Sequence, residues 1–248
     1  MICLAIDTAT TDLVVGLVEV AGDVREPCVT TIAARETPTR SHNELLVPTV
    51  NELLAHAGAS YGDLSAVVAG CGPGPFTGLR VGMATASAYG QALRIPVHGI
   101  CTHDAVAYQL QALTGADGDI LVVTDARRRE VYWAHYRAGN GCPTRVAGPA
   151  VNAPGDLRGV IEAGTADSTA DSTGNIDVMS VPEPLRPGIT LEAQTVTYQA
   201  PTPEAMVAVV AASTGLDAEP EPLIPLYLRR PDAKEPALKP PSPALRGL

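Results

Sequence analysis

The sequence holds no long hydrophobic run. Although 46% of its 248 residues are hydrophobic, no stretch approaches the roughly 18 uninterrupted apolar residues that a membrane-spanning helix needs. The start, Met1 to Asp7, lacks the basic region and the length of a signal peptide. A cytoplasmic protein is the expectation. Cysteine is scarce and scattered: Cys3, Cys28, Cys71, Cys101 and Cys142 are odd in number and form no CxxC pair, which argues against a disulfide framework or a zinc knuckle. Positive charge is short as well. Seventeen Lys and Arg against 27 Asp and Glu leave a net charge of −10. That is the wrong sign for a chain whose main work is gripping phosphates, because nonspecific nucleic-acid affinity comes from cations displacing counterions.

Familiar catalytic signatures are missing too. His42, His56, His98, His103 and His135 form neither HxxxH nor HExxH, and no Gly-x-Ser-x-Gly elbow occurs. The glycine-rich loop Gly72-Pro73-Gly74-Pro75-Phe76-Thr77-Gly78 opens onto a predicted helix, where free amides and the helix dipole favour an anion. No Gly-Lys-Ser/Thr follows it, and its two prolines remove amides that would do the cradling. A structural turn and a phosphate site are the two readings left.

What is present is an alternation of apolar strands and helices. Residues 1–7, Leu13 to Val20, Cys28 to Ala34, Leu64 to Ala69 and Pro96 to Ile100 read as strands. Helices are predicted after Ser41, from Phe76 to Leu93, from Asp104 to Leu113 and from Pro203 to Ser213. Ser41 and Glu44 have the form of a capping box, and Pro48 should kink the helix they begin. Ile2 to Val18 and Ile120 to Tyr136 share one pattern: apolar strand, Asp, polar turn, apolar strand. Two related subdomains follow from that likeness. Ala163 to Gly174 reads as a polar surface loop, and the chain beyond Arg230 as a proline-rich disordered tail.

The helix from Phe76 is unusual. Gly78, Gly82, Ala86 and Gly90 recur every four residues, and Ala84, Ala88 and Ala92 form a second row of small residues beside them. Three interior glycines cost about 3 kcal/mol of helix propensity relative to alanine, so close packing must offset them. The neighbour is either the chain's own core or a partner. Asp7 and Asp125, each ending an apolar strand, sit where phosphate-binding folds keep their aspartates, and they also suit ordinary turn formation. Arg127-Arg128-Arg129 occupies a predicted turn, as a solvated tip or as a contact for an acidic partner or RNA.

Four motifs together resemble one family: Ile6-Asp7-Thr8-Ala9-Thr10, the run from Gly72 to Gly82, Asp125-Ala126-Arg127 with Glu130-Val131-Tyr132-Trp133, and Pro225-Leu226-Tyr227-Leu228-Arg229. The sequence is identified as a member of the TsaB (YeaZ) family, accessory subunits of bacterial tRNA threonylcarbamoyladenosine synthesis. The resemblance implies a two-lobed α/β actin-like ATPase or sugar-kinase (ribonuclease H-like) fold, with the pattern strand-strand-strand-helix-strand-helix-strand-helix duplicated. Residues 1–104, joined by the helix at 203–214, would form the first lobe, 105–202 the second, and 231–248 the tail.

It further implies a non-catalytic scaffold that binds a TsaD-like catalytic paralogue, is joined by a TsaE-like ATPase, and meets tRNA through the complex. The complex would transfer a threonylcarbamoyl group to the adenosine beside the anticodon in tRNAs reading codons that start with A. A homodimer is possible when the chain is alone. The interface would use Leu45, Leu46, Thr49 and Leu53 on one helix and Phe76, Gly78, Leu79, Gly82, Met83, Ala86 and Gly90 on the other. No cofactor is expected here, with ATP and metal on the partner subunits and Asp7, Thr8 and Asp125 as weak nucleotide candidates. Gly99 and His103 fall where the paralogue keeps its two metal-binding histidines, so one ligand is missing. An active ATPase or sugar kinase, and a metalloprotease-like protein, are the alternatives.

Overall fold

Two sheets of the same design account for the duplicated pattern. The computed structural model describes residues 1–23, 26–165 and 176–229. Its elements are β1 (Ile2–Asp7), β2 (Asp12–Asp23), β3 (Glu26–Pro38), α1 (His42–Ala57), β4 (Leu64–Gly70), α2 (Phe76–Leu93), β5 (Val97–Ile100) and α3 (Thr102–Thr114). The second half supplies β6 (Asp119–Asp125), β7 (Val131–Arg137), β8 (Thr144–Asn152), α4 (Leu157–Thr165), β9 (Ile176–Ser180), β10 (Ala193–Thr197) and α5 (Pro203–Ser213). The strand orders are β3-β2-β1-β4-β5 and β8-β7-β6-β9-β10. In each sheet the central strand pairs antiparallel with the next strand in sequence and parallel with the one after the crossover. This is the two-lobed actin-like arrangement that the resemblance implies. One element departs from strict duplication. Between β9 and β10 the chain forms a 3-10 segment, Glu183–Gly188, where the first lobe has α2. Pro187, inside that segment, lacks the amide an α-helix would need there.

Period-two alternation sorts the first sheet into layers. Leu4 and Ile6 of β1, with Val67 and Ala69 of β4, face the core under α1 and α2. Cys3, Ala5, Ala66 and Val68 face the opposite way, onto α5. In the second sheet Leu121 and Val123 pack under Leu157 and Ile161 of α4, while Ile120 and Val122 meet α3. The two inner helices, α3 and α5, therefore lie between the sheets and pack on each other. α3 serves both lobes, since Ala105 joins the first sheet's core and Val106, Ala107 and Leu110 join the second's.

Several sequence expectations change. Ser41 precedes α1 but makes no side-chain cap; the Thr39 hydroxyl instead accepts the Ser41 amide at 2.9 Å. A reciprocal polar cap lies further on, where the Asp63 carboxylate accepts both the amide and the hydroxyl of Ser60. α1 runs on through Pro48 to Ala57. The expected tail at 231–248 and most of the polar segment at 163–174 lie outside the described residues. The proline-rich stretch before the tail is docked on the first lobe. Leu223 packs against the first core, the Leu226 amide donates to the Cys71 carbonyl at 2.8 Å, and the Tyr227 ring lies 4.4 Å from that of Phe76. Arg80 Nε donates to the Tyr227 hydroxyl at 2.9 Å. Arg229 then reaches the second lobe and pairs with Glu130. This strap ties the start of α2 to the β6–β7 turn.

Candidate functional site

β1 delivers Asp7 to the place where a phosphate-handling aspartate would stand, and the surrounding chain covers it completely. Asp7 has no exposed surface. Its Oδ2 accepts the Thr102 hydroxyl at 2.6 Å and its Oδ1 the Ala9 amide at 2.8 Å. A Cβ on Gly70 would fall 1.8 Å from Oδ2, so only glycine leaves room for the carboxyl there. Burial pushes its pKa up to about 6, against the lowering effect of the two hydrogen bonds. Both oxygens are spent inside the chain. Thr8 is equally buried, and its hydroxyl donates to the Gly78 carbonyl at 2.7 Å.

Those contacts explain the glycines of α2. A Cβ on Gly78 would lie 2.4 Å from the Thr8 carbonyl oxygen, one on Gly82 2.3 Å from the Thr8 hydroxyl, and one on Gly74 2.1 Å from the Ala9 carbonyl oxygen. Gly90 closes on Val97 in the same way, at 2.1 Å. Glycine at these positions lets the loop and helix backbone press onto the β1–β2 turn. The ground directly above Asp7 is thus filled by the chain itself. Gly72, at φ 100°, supplies the left-handed residue that starts the loop.

Asp125 ends β6 across the cleft. It accepts the Arg127 amide at 2.7 Å and the Arg127 side chain at 3.0 Å, and so fixes its own turn. Between the lobes a cavity of about 370 Å³ is bounded by Thr10, Asp12, Asp125, Arg127, Glu183 and Tyr198 among others. Its walls carry three carboxylates and one guanidinium, a poor environment for a polyphosphate. Asp12 is held there by the Tyr198 hydroxyl at 2.5 Å. His103, fully buried, lies 2.9 Å from the Thr124 hydroxyl, and burial lowers its pKa to about 3, which keeps it neutral. Gly99 is pressed against Cys71 and Leu223. Among the described residues no group of three or more His, Cys, Asp or Glu side chains converges as a metal site would require.

The expected interface residues divide by burial. Leu46, Thr49 and Leu53 of α1, and Leu79, Gly82, Met83, Ala86 and Gly90 of α2, are buried within the chain itself. They pack against the chain's own core, turn and strap. Phe76 is half-covered by Tyr227 and Gly78 by Thr8. Leu45 is 36% exposed and Val47 44%, on opposite flanks of the buried Leu46. On α2 the exposed row is Ala84, Ala88 and Ala92. α1 and α2 cover the same face of the sheet, and their outward sides mix polar residues such as Asn43, Glu52, His56, Arg80 and Gln91 with the small row of α2. Of the two small rows, the one expected at the interface is the one that the chain itself buries. The signal that separates them was the phase of α2: Leu79, Met83 and Ala86 share the buried side with Gly82 and Gly90.

A family model described as TsaD, tRNA N6-adenosine threonylcarbamoyltransferase, matches residues 35–237. The chain belongs to this family. Within it the likeness runs to the TsaB (YeaZ) proteins. The chain is 36% identical to the tRNA threonylcarbamoyladenosine biosynthesis protein TsaB of Escherichia coli over 54% of each protein. It is 46% identical to an uncharacterized protein of Mycobacterium leprae, over 94% of this chain and 56% of that one. The chain thus spans about half the length of these two relatives. The solved structure of YeaZ from Pseudomonas aeruginosa superposes with a TM-score of 0.70 at 24% identity, covering 92% of this chain and 99% of that one, a likeness of fold. Among the described residues no helix is long and apolar enough to cross a membrane.

Proposed function

We propose that this chain takes part in tRNA threonylcarbamoyladenosine synthesis as a non-catalytic subunit that docks and activates a TsaD-type catalytic partner. The observation that carries the reading is the state of Asp7. A carboxyl that is fully buried, doubly hydrogen-bonded and closed in by Gly70 has no face left for a magnesium ion or a phosphate. The outward sides of α1 and α2 are the surface for the partner, with Val47 exposed on α1 and the row Ala84, Ala88 and Ala92 on α2. Small residues there let a partner helix approach the backbone of α2 closely. ATP and metal belong to the partner subunits in this reading, including a TsaE-type ATPase, and the tRNA substrate is modified on the partner.

Reconstitution of tRNA threonylcarbamoylation with the TsaD-type partner, with and without this chain, tests the proposal. Activity should fall at least about tenfold on omission, which corresponds to about 1.4 kcal/mol of transition-state stabilisation. Unchanged activity would reject it. Calorimetry of the isolated chain with ATP should give no heat of binding; a micromolar affinity abolished by Asp7→Ala would favour an ATPase or kinase instead.

A further inference from the structure

A recess of about 470 Å³ opens along β5, the edge strand of the first sheet. One wall is β5 itself with Cys101 after it, and the other is the proline-rich chain from Ala218 to Pro222 with Ile224 and Leu226. β5 turns part of its backbone into this space. Val67 and Cys71 donate their amides to the carbonyls of Pro96 and Ile100, so in the alternation of a parallel ladder Val97 and Gly99 turn theirs away from β4. Gly99 is exposed, and among the described residues no backbone group of another segment meets it. Its missing side chain has a separate reason, since a Cβ there would lie 2.8 Å from the Cys71 sulfur and 2.9 Å from Leu223.

The two edges of this sheet are treated differently. β3 is guarded by a bulge: Leu17 pairs with Ala33 and Val18 with Thr31, which leaves Ile32 as the extra residue. β5 pairs with β4 without a shift and carries no such guard. The far wall of the recess sets its sign. Glu219 and Glu221 are exposed on it, and neither forms an ion pair among the described residues. The guanidinium on the walls, Arg145, is spent on Asp104 through Nε and Nη2, and the His98 ring is hydrogen-bonded to the Leu216 carbonyl at 3.1 Å. Ile224, 69% exposed, adds an apolar rim.

We propose that this groove takes an extended basic segment of a partner protein, which adds to the sheet along β5. Its backbone would meet the free amide and carbonyl of Gly99, its Lys or Arg side chains Glu219 and Glu221, and its alternate apolar side chains Ile224. A second copy of this chain is the wrong occupant, because each carries a net charge of −10 and both lysines, Lys234 and Lys239, lie beyond residue 229. Residues 231–248 of the same chain suit it no better, since their five prolines lack amides for a strand ladder. The groove is separate from the outward sides of α1 and α2, and the inference does not rest on the role in tRNA modification.

The test is anisotropy of a fluorescent probe peptide of about nine alternating Lys and Val residues, titrated with the full chain at about 50 mM salt, with amide hydrogen exchange read alongside. The probe should bind and slow exchange of the Gly99 amide at least about tenfold. A Glu219→Gln/Glu221→Gln variant should bind it about fivefold more weakly. A Glu219→Lys/Glu221→Lys variant should instead prefer a probe of alternating Glu and Val, which separates charge from folding. The Lys-Val probe N-methylated at alternate amides should lose at least about tenfold in affinity, because its backbone can no longer pair with β5. No binding of the unmodified probe, undiminished binding by the Gln variant, or equal binding of the N-methylated probe would overturn the proposal. So would a Gly99 amide that already exchanges slowly in the free chain, since residues 231–248 or a second copy would then hold the groove.

Discussion

The two small-residue rows of α2 look alike in composition and do opposite things. Gly78, Gly82, Ala86 and Gly90 turn inward, where an added Cβ on three of them would strike Thr8 or Val97. Ala84, Ala88 and Ala92 turn outward into solvent. The first row lets the helix sink onto the β1–β2 turn and seal Asp7. The second leaves the outer surface nearly bare of side chain. A run of small residues thus reports that something approaches closely and says nothing about whether that neighbour is the chain's own core or another protein.

Substitutions on the inward row should break the fold before they affect any partner. Gly82→Leu forces a branched side chain into the Thr8 hydroxyl and should cost about 4 kcal/mol, at the upper end for overpacking, read from urea denaturation. A folded Gly82→Leu chain of wild-type stability would contradict the assignment of that row. Beneath it, Asp7 sharpens the contrast through pH. Its carboxyl pKa is raised to about 6 in the fold, so its contribution is fully present below about pH 4 and is lost as pH rises through 6. Asp7→Asn should therefore equal the wild type near pH 4 and exceed it by about 2–3 kcal/mol above pH 7. A stability difference that does not vary with pH would show that the carboxyl is not sealed.

The strap gives a smaller effect. Tyr227→Ala removes the ring over Phe76 and the acceptor for Arg80, and should lower stability by about 1–2 kcal/mol. Faster hydrogen exchange should be confined to the first turn of α2 and the β6–β7 turn. Uniform loss of protection would mean that the strap does not tie these two places in particular.

Much of this was legible in the sequence where pattern and punctuation agreed. α2 and α5 run over Phe76–Leu93 and Pro203–Ser213 as read, since each begins with its turn chemistry and carries apolar residues at helical spacing. Thr202 caps α5 through its side chain, accepting the Ala205 amide at 3.2 Å. The strand–Asp–turn–strand likeness between β1–β2 and β6–β7 was readable because both central strands are buried on both faces. β8 and β10 were not, because most of their residues are only partly buried and leave little apolar alternation. The strap was hidden for another reason: its anchors Leu223, Leu226 and Tyr227 are spaced by prolines and follow no helix or strand period. The facing of the α2 rows was obscured because glycine and alanine contribute little contrast to a periodic pattern, so the larger Leu79 and Met83 had to decide it.

The most direct measurement is calorimetric titration of the TsaD-type partner into wild-type chain and into Ala88→Arg, with urea denaturation of each chain alongside. Ala88→Arg places a long charged side chain on the outward row; stability should stay within about 0.5 kcal/mol, while affinity for the partner falls at least about a hundredfold, or about 2.7 kcal/mol. Wild-type affinity in Ala88→Arg, with its fold intact, would contradict the assignment of that face to the partner.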